Sequence, residues 1–461
     1  MEKGDRDSRV SGRCPVVAIV GGGFSGTVAA VHLLRRAAAG TRVLLIERSG
    51  DAGPGVAYAT RDDRHVLNVP AGRMSAFPGA PDDLVEWAGV AADAFVPRRV
   101  YGEYLRARLA GAAARSAGRL ERVVGEVVRL RPARAALELV LSDGRRIACD
   151  RAVLAVGGLP GGGPCELPDD ERVIADPWAP GALEQAGTAS TLIVGSGPTA
   201  VDVALTLCDE SPAARVAMVS RHGRLPYAHL PGLREPAPPP ALAASGPLRL
   251  RTLERTVRAH VALCEADGYD WRDVVDGLRP LTADLWSRLP VSDRRWFVRE
   301  RGRAWEVRRH RLAPGVAATV AALRMYGRLS VLSGGVQAVR RRARGIEVRL
   351  GDGRTVIAAR VIACAGPGTD VAATPLPVVR RLLADGHASA DAVGLGLRAT
   401  AAGALVDARG GSDGRVWLLG ALRRGELWES TAVRELREQA QHVADGVQHS
   451  LSASPIATMT G

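Results

Sequence analysis

VVAIVGGGFSGTVAAVHLLRR, residues Val16 to Arg36, decides the fold. Val16 to Val20 is a short, unbroken apolar run of the kind a central parallel strand shows, and Gly21, Gly23 and Gly26 complete G-x-G-x-x-G directly behind it. Gly21 permits the tight turn, Gly23 lets a pyrophosphate come up to the backbone, and Gly26 lets the new helix pack close on the strand. Phe24 and Ser25 open that helix, whose free N–H groups and positive dipole end face the same phosphates. A second strand, Arg42 to Ile46, ends in Glu47, 21 residues beyond Gly26, with Arg48 next to it. A carboxylate there accepts hydrogen bonds from ribose hydroxyls. Strand, turn, helix, strand and acid in this order predict a dinucleotide-binding unit of an α/β fold.

Outward from this unit, the chain of 461 residues is too long for one hydrophobic core and predicts two or three domains. No apolar run approaches the roughly 18 to 20 residues of a membrane span, and Met1 to Pro15 lacks an apolar signal-peptide core. The expectation is a soluble, cytoplasmic protein with no membrane partner. Its six cysteines, Cys14, Cys149, Cys165, Cys208, Cys264 and Cys364, form no C-x-x-C and no metal-ligand spacing. Disulfide scaffolding, metal binding and a redox dithiol all lose support. The net charge of +13 comes from arginines spread over most of the chain, Lys3 being the only lysine, and aromatic residues for base stacking are few. That argues against nucleic acid and for a general attraction toward anionic cofactors and substrates.

The unit is duplicated. LELVLSDGRRIACDRAVLAVGG, from Leu137, aligns without gaps to IEVRLGDGRTVIAARVIACAGP, from Ile346. Each copy reads as a hairpin followed by an apolar strand that ends in glycine, Gly157 in one and Gly366 in the other. The fingerprint recurs in TLIVGSGPTAVDVALTL, from Thr191, as Gly195-x-Gly197-x-x-Ala200, with Pro198 and Thr199 opening the helix. Its second strand, Arg215 to Val219, ends in Ser220-Arg221-His222 where the first copy has Glu47. A basic, hydroxylated strand end suits the 2′-phosphate of NADPH, so the acidic site is assigned to FAD and the basic site to NADPH.

After Glu47, GDAGPGVAYATRDDRHVLNVPAGRMSAFPG reads as a long ordered loop within the first unit, and loops of that length are usually functional. Helices are expected over Asp82 to Val90 and Tyr101 to Ala117, then a meander of strands at Glu121 to Leu130, Ala136 to Leu141 and Arg145 to Cys149. An insert follows Arg224, with helical patterns at Leu248 to Ala266, Trp271 to Leu278, Leu281 to Leu289, Asp293 to Arg301 and Val316 to Met325. Its segment RRWFVRERGRAWEVRRHR, Arg294 to Arg311, reads mainly as a solvated basic face with aromatic anchors; Arg308 and Arg309 are the candidates for gripping a substrate carboxylate. The chain then returns to the first unit through Val416 to Leu419 and Gly420, and a last helix is expected with Ser430 or Thr431 near its N-cap. The tail from about Ser450 reads as disordered. The expected division is 1–160 with 371–461 for FAD, 161–224 with 326–370 for NADPH, and 225–325 as a helical substrate cap.

The pattern resembles the two-domain, glutathione-reductase-like FAD/NAD(P)H oxidoreductases: two Rossmann-like domains with a helical insert. More closely, GVAY (Gly55 to Tyr58), HVLNVPAGRM (His65 to Met74), RRVYGEYL (Arg98 to Leu105), DPW (Asp176 to Trp178), SRHG (Ser220 to Gly223), WRDVVDGLRP (Trp271 to Pro280) and GELWESTAVRELR (Gly425 to Arg437) resemble the bacterial YdhS-like FAD/NAD(P)-binding proteins. That family is more distantly similar to ornithine and lysine N-hydroxylases, and some relatives oxidise the amine of aspartate. In many proteins of this fold the last strand ends in Gly-Asp; here Gly420 is followed by Ala421, so another group must meet the ribityl chain. The resemblance implies NADPH reduction of FAD, then O2 activation as a C4a-hydroperoxyflavin that oxidises a small, amino-acid-like amine. Asn68, with Val69 beside it, is the candidate hydrogen-bond partner to the flavin ring or substrate, the alternative being that it stabilises the turn before Pro70. The alternative functions are an NADPH-dependent reductase or dehydrogenase without oxygen insertion, and a flavin-binding interaction or sensor protein.

Overall fold

The computed structural model describes residues 14–36, 40–133, 136–161, 163–184, 190–211, 213–242 and 246–453. Two five-stranded parallel sheets organise it. The first runs β16 (Val416–Leu418), β7 (Arg151–Leu154), β1 (Val16–Val20), β2 (Arg42–Glu47), β3 (Leu120–Val124). The second runs β8 (Val173–Ile174), β15 (Arg360–Ala363), β9 (Thr191–Val194), β10 (Val216–Ser220), β11 (Leu329–Ser333). The unbroken apolar run of β1 follows from burial on both faces. Val17 and Ile19 pack toward α1 (Phe24–Arg36), α4 (Arg98–Ala114) and α13 (Val433–Ser452). Val16, Ala18 and Val20 pack toward a three-stranded antiparallel sheet of β4 (Val127–Pro132), β5 (Leu137–Leu141) and β6 (Arg146–Cys149), and toward α12 (Pro377–Ala384).

The duplication reaches further than the sequence shows. A second antiparallel sheet, β12 (Val336–Arg342), β13 (Gly345–Leu350) and β14 (Thr355–Ala358), matches β4 to β6 at the same spacing of 209 residues, and β11 matches β3. Detail repeats with it: Gly125 and Gly334 both take large positive φ (+155° and +145°), and a bulge follows in each first hairpin strand, at Val127/Arg129 and Val336/Ala338. Arg145 donates to Asp143 and to the carbonyl of Val124, as Arg354 does to Asp352 and to the carbonyl of Ser333. Both strand ends continue into a positive-φ glycine, Gly157 and Gly366. Beyond them the two crossing segments touch: a Cβ on Gly161 would lie 2.6 Å from the Gly366 carbonyl oxygen, and Gly368 N–H donates to Leu159 O at 3.1 Å.

Several expectations need correction. Glu121 to Leu130 is not one strand, because Gly125 breaks it and sends β3 into the parallel sheet and β4 into the antiparallel one. The long loop contains a helical turn, α2 (Gly55–Tyr58), and a 3-10 turn at Ala71–Arg73; a short helix, α3 (Asp83–Ala88), precedes α4. The insert holds α6 (Leu250–Ala266), α7 (Trp271–Leu278), α8 (Thr282–Arg288), α9 (Val291–Trp296), α10 (Gly302–Arg309) and α11 (Pro314–Met325), after α5 (Pro198–Glu210) of the second unit. The helix expected to stop at Arg301 widens there into a π turn, Phe297–Arg301, and continues as α10. The N-cap of α13 is Ala432, directly after Thr431, with Glu435 in the first turn beside the positive dipole end. The tail from Ser450 is helical to Ser452, held by Arg151, which donates from Nε to Ser450 Oγ at 2.8 Å; residues 454–461 lie outside the described residues. None of the described helices is long and apolar enough to cross a membrane.

Candidate functional site

Both glycine turns lie at the carboxyl ends of their parallel strands, where open α/β sheets bind ligands. Gly21 turns at φ +102°, its N–H donating to Ile46 O at 2.9 Å; a Cβ there would lie 2.4 Å from Ala155 O. A Cβ on Gly26 would fall 1.9 Å from Gly21 O, so helix and turn fit only without a side chain. Gly23 differs: its Cβ position meets only Gly55 Cα, at 3.5 Å, and otherwise faces open space. A backbone this bare at a helix N-terminus is the cradle a pyrophosphate needs. Glu47 Oε2 accepts the Gly22 N–H at 2.6 Å, and Oε1 accepts from Ser49 N and Oγ, each at 3.0 Å, so the carboxylate also shapes the turn. Arg48 beside it is exposed. Phe24 is buried and stacks on Tyr101, which leaves only its backbone for a dinucleotide. Ser25 is half-buried, and its Oγ lies 3.1 Å from the Cβ position of Gly420 (φ +87°), bringing the last strand's end against the first turn.

The second turn repeats this geometry. Gly195 N–H donates to Val219 O at 2.8 Å, and a Cβ on Gly195 would lie 2.1 Å from Cys364 O. Pro198 opens α5 at its first turn, Thr199 is half-buried and Ala200 buried. The surroundings are opposite in sign to the first site. Ser196 Oγ lies within donating reach of Ser220 Oγ (2.8 Å) and Arg224 O (2.7 Å), and Arg303 of α10 donates from Nη2 to Ser196 Oγ at 3.2 Å and to the same Arg224 O at 3.1 Å. Arg303 Nη1 stands 3.6 Å from the Cβ position of Gly197. Burial lowers the pKa of Arg303, Glu306 opposes this, and the nearby Arg221 cation lowers it further. Arg221 and His222 are exposed. Two neighbouring cations at a phosphate-type turn form a place for an anion. Arg303 was not separable in the sequence from the other arginines of its segment; only the fold brings it here.

The loop His65 to Met74 is clamped by the segment after α3: Leu67, Ala71 and Gly72 donate to Val96, Ala94 and Ala92, each at 2.8 Å. Asn68 is half-buried, its carbonyl 3.0 Å from His229 Nε2, and its side-chain amide makes no hydrogen bond among the described residues. The turn-stabilising alternative therefore has no side-chain bond behind it. Val69 packs against the first core. Burial, with Arg311 nearby, lowers His229 to about 4, so the neutral ring donates from Nε2.

The insert arginines do not form the open grip expected of them. Arg309 is 5% exposed, with Nε 3.3 Å from Glu429 Oε2, while Glu429 Oε1 accepts from Trp305 Nε1 at 2.9 Å. Arg308 donates from Nη1 to Ala304 O at 2.9 Å in its own helix and lies over the Tyr227 ring. A cavity of about 620 Å³ lies elsewhere, between Arg64, Val66, Phe95, Leu205 and α11. It borders the far half of α5 from the glycine turn.

Residues 18–159 match a family model described as FAD-NAD(P)-binding. The first unit is an FAD/NAD(P)-binding domain. No curated protein matches the chain. Among solved structures it is similar to an ornithine N-hydroxylase from Kutzneria sp. 744 solved with reduced FAD, NADP+ and L-ornithine (16% identity, TM-score 0.62, 95% of this chain and 99% of that one). It is also similar to DfoA, the cadaverine monooxygenase of Erwinia amylovora, solved with FAD (13%, 0.64, 94% of each chain). A third is the bacillithiol disulfide reductase of Staphylococcus aureus (13%, 0.56, 94% and 98%). At these identities the likeness establishes the two-unit flavoprotein fold.

Proposed function

We propose that this protein is an FAD-dependent, NADPH-oxidising monooxygenase acting on a small amine-bearing, amino-acid-like substrate. The observation that carries the reading is the asymmetry of the duplicated turns: Glu47 at the first, and Arg221 and Arg303 with Ser196 and Ser220 at the second. FAD belongs at the first and NADPH at the second. When bound, the two cofactors supply the redox chemistry between them. The chain's part is binding, orientation and exclusion of water. Bare backbone at Gly23 and Gly197 and the N-termini of α1 and α5 receive the phosphates, and Gly157, Gly366 and Gly420 keep the strand ends open at positive φ. His229 holds the Asn68 carbonyl and leaves the amide free to meet ring or substrate. Arg308, half-buried over Tyr227, is the remaining candidate for a substrate carboxylate, while Arg309 holds Glu429 and Trp305 in place.

Oxygen as electron acceptor is favoured over a disulfide by the thiols. Cys149 and Cys364 are buried, and burial pushes both up to about 12; Cys208 is buried and raised too. Cys14 is exposed but precedes β1 at the end of the sheet opposite the turn. A thiol of this kind is a poor nucleophile toward a disulfide. The test is direct. The purified protein should be yellow, should bleach anaerobically with NADPH faster than with NADH, and should consume O2 with release of a hydroxylamine when the right amine is supplied. Oxygen-independent electron transfer to a small acceptor, or peroxide as sole product with every amine of an amino-acid panel, would favour the reductase reading.

A further inference from the structure

The motif HVLNVPAGRM begins with a residue that does not face the cofactor side of its loop. His65 is 2% exposed and reaches across to α5 of the second unit. Its Nε2 lies 2.9 Å from Thr206 Oγ1 and 3.1 Å from Asp202 O, and its Nδ1 lies 2.7 Å from Thr60 Oγ1. Thr206 donates its hydroxyl proton to Asp62 Oδ2 at 2.7 Å. Having one proton to give, Thr206 accepts from His65, which places a proton on Nε2, while Nδ1 is bonded to Thr60 Oγ1. Around this chain, Arg98 Nη2 lies 3.1 Å from the buried Asp202 Oδ2, Arg64 pairs with Asp209, and Trp178 meets the His65 ring edge-on at 5.5 Å.

Thr60, Asp62, Arg64, His65 and Arg98 belong to the loop and helix of the first unit; Trp178, Asp202, Thr206 and Asp209 belong to the second. Both ends of the junction lead to a site. Asp202 is four residues into α5 from Pro198, about 6 Å along the axis, so holding it holds the helix end that follows the Gly195–Gly197 turn. His65 is three residues before Asn68.

We propose that His65 is a positioning residue: it bolts the first unit's loop to α5 and so sets how close the two dinucleotides approach for hydride transfer. The proposal rests on the cofactor placement argued above. The His65 contacts to α5 are buried, and loss of the ring leaves Thr206 Oγ1 and Asp202 O without that donor, so the bolt resists slippage.

Two measurements on the full chain test this. In hydrogen exchange on the purified protein, His65→Ala should deprotect both residues 60–68 and the 202–209 stretch of α5 while leaving α1 unchanged. In anaerobic stopped flow, the FAD-loaded variant should lose about 10-fold or more in limiting rate of flavin reduction, as a displacement near 1 Å can cost, with the apparent Kd for NADPH within about twofold. His65→Gln keeps a donor and an acceptor and should restore most of both properties. Should His65→Ala fail to fold, Thr206→Val cuts the same link from α5 and carries the same expectations. Deprotection confined to the loop, or an unchanged reduction rate in a folded variant, overturns the bolt. Wild-type protein that NADPH does not bleach would instead overturn the cofactor placement, and the exchange result would still judge the contact.

Discussion

At the residue scale, two glycines three residues apart, Gly23 and Gly26, do different work, and substitution separates them. Gly26→Ala puts a methyl 1.9 Å from the Gly21 carbonyl oxygen, so helix and strand must separate; overpacking of this kind costs about 3 kcal/mol or more. Gly23→Ala meets only Gly55 Cα, at 3.5 Å, which the free protein tolerates. We expect Gly23→Ala, and more so Gly23→Val, to give soluble but weakly coloured or colourless protein, and Gly26→Ala to lower the melting temperature or prevent folding. Stoichiometric FAD on Gly23→Val would move the flavin site elsewhere. The distinction was legible in the sequence because spacing alone assigns each glycine its contact. The role of Glu47 was legible only in part: its end-of-strand position was plain, but its bond to the Gly22 N–H depends on where the turn folds back. His65 shows the limit, since the sequence placed it in the right loop and gave no sign of the helix it would meet.

At the element scale, α10 carries arginines to two places from one short segment. Arg303 reaches the second glycine turn, and Arg309, nearly two helical turns on, pairs with Glu429. Arg221 stands at the strand end where a 2′-phosphate would lie, so Arg221→Ala should raise the Michaelis constant for NADPH roughly 10-fold or more and hardly change that for NADH. Arg303 is nearer the Gly197 backbone and thus the pyrophosphate, so Arg303→Ala should weaken both nucleotides. A nucleotide-selective effect at Arg303, or equal effects at Arg221, would exchange these roles. Arg309→Ala leaves the buried Glu429 carboxylate with Trp305 as its one side-chain donor among the described residues, and should destabilise the protein by about 3 to 5 kcal/mol. Arg308→Ala should cost far less, and parallel urea melts decide between them. Strands and most helices of the insert were readable from apolar periodicity, whereas α10 was not: its charged residues are partnered by distant segments, and a sequence shows charge without partner.

At the scale of the whole molecule, the fold holds three histidines neutral: His32 on α1, His229 before the insert helices and His310 at the end of α10. Burial lowers each to about 4, aided by Arg36 and Arg35 at His32, Arg311 at His229 and Arg309 at His310. An unfolded chain binds those protons near pH 6.5, so between pH 6.5 and 4 the unfolded state holds more protons than the folded one. Stability from this source is therefore complete above pH 6.5 and is lost as pH falls toward 4. His32 isolates the effect: it is 4% exposed, its Nε2 has no hydrogen-bond partner among the described residues, and its ring meets that of Phe77 edge to face, the centroids 5.8 Å apart. Lowering the pH from 7.5 to 5 should cost about 2 kcal/mol at this residue alone. His32→Leu removes the titration and should leave stability at pH 7.5 equal or higher while flattening the decline toward pH 5 by that amount. Urea unfolding of both proteins at the two pH values measures it. Parallel declines would mean that His32 is protonated in the folded protein and that the acid sensitivity lies with other groups, His229 and His310 among them.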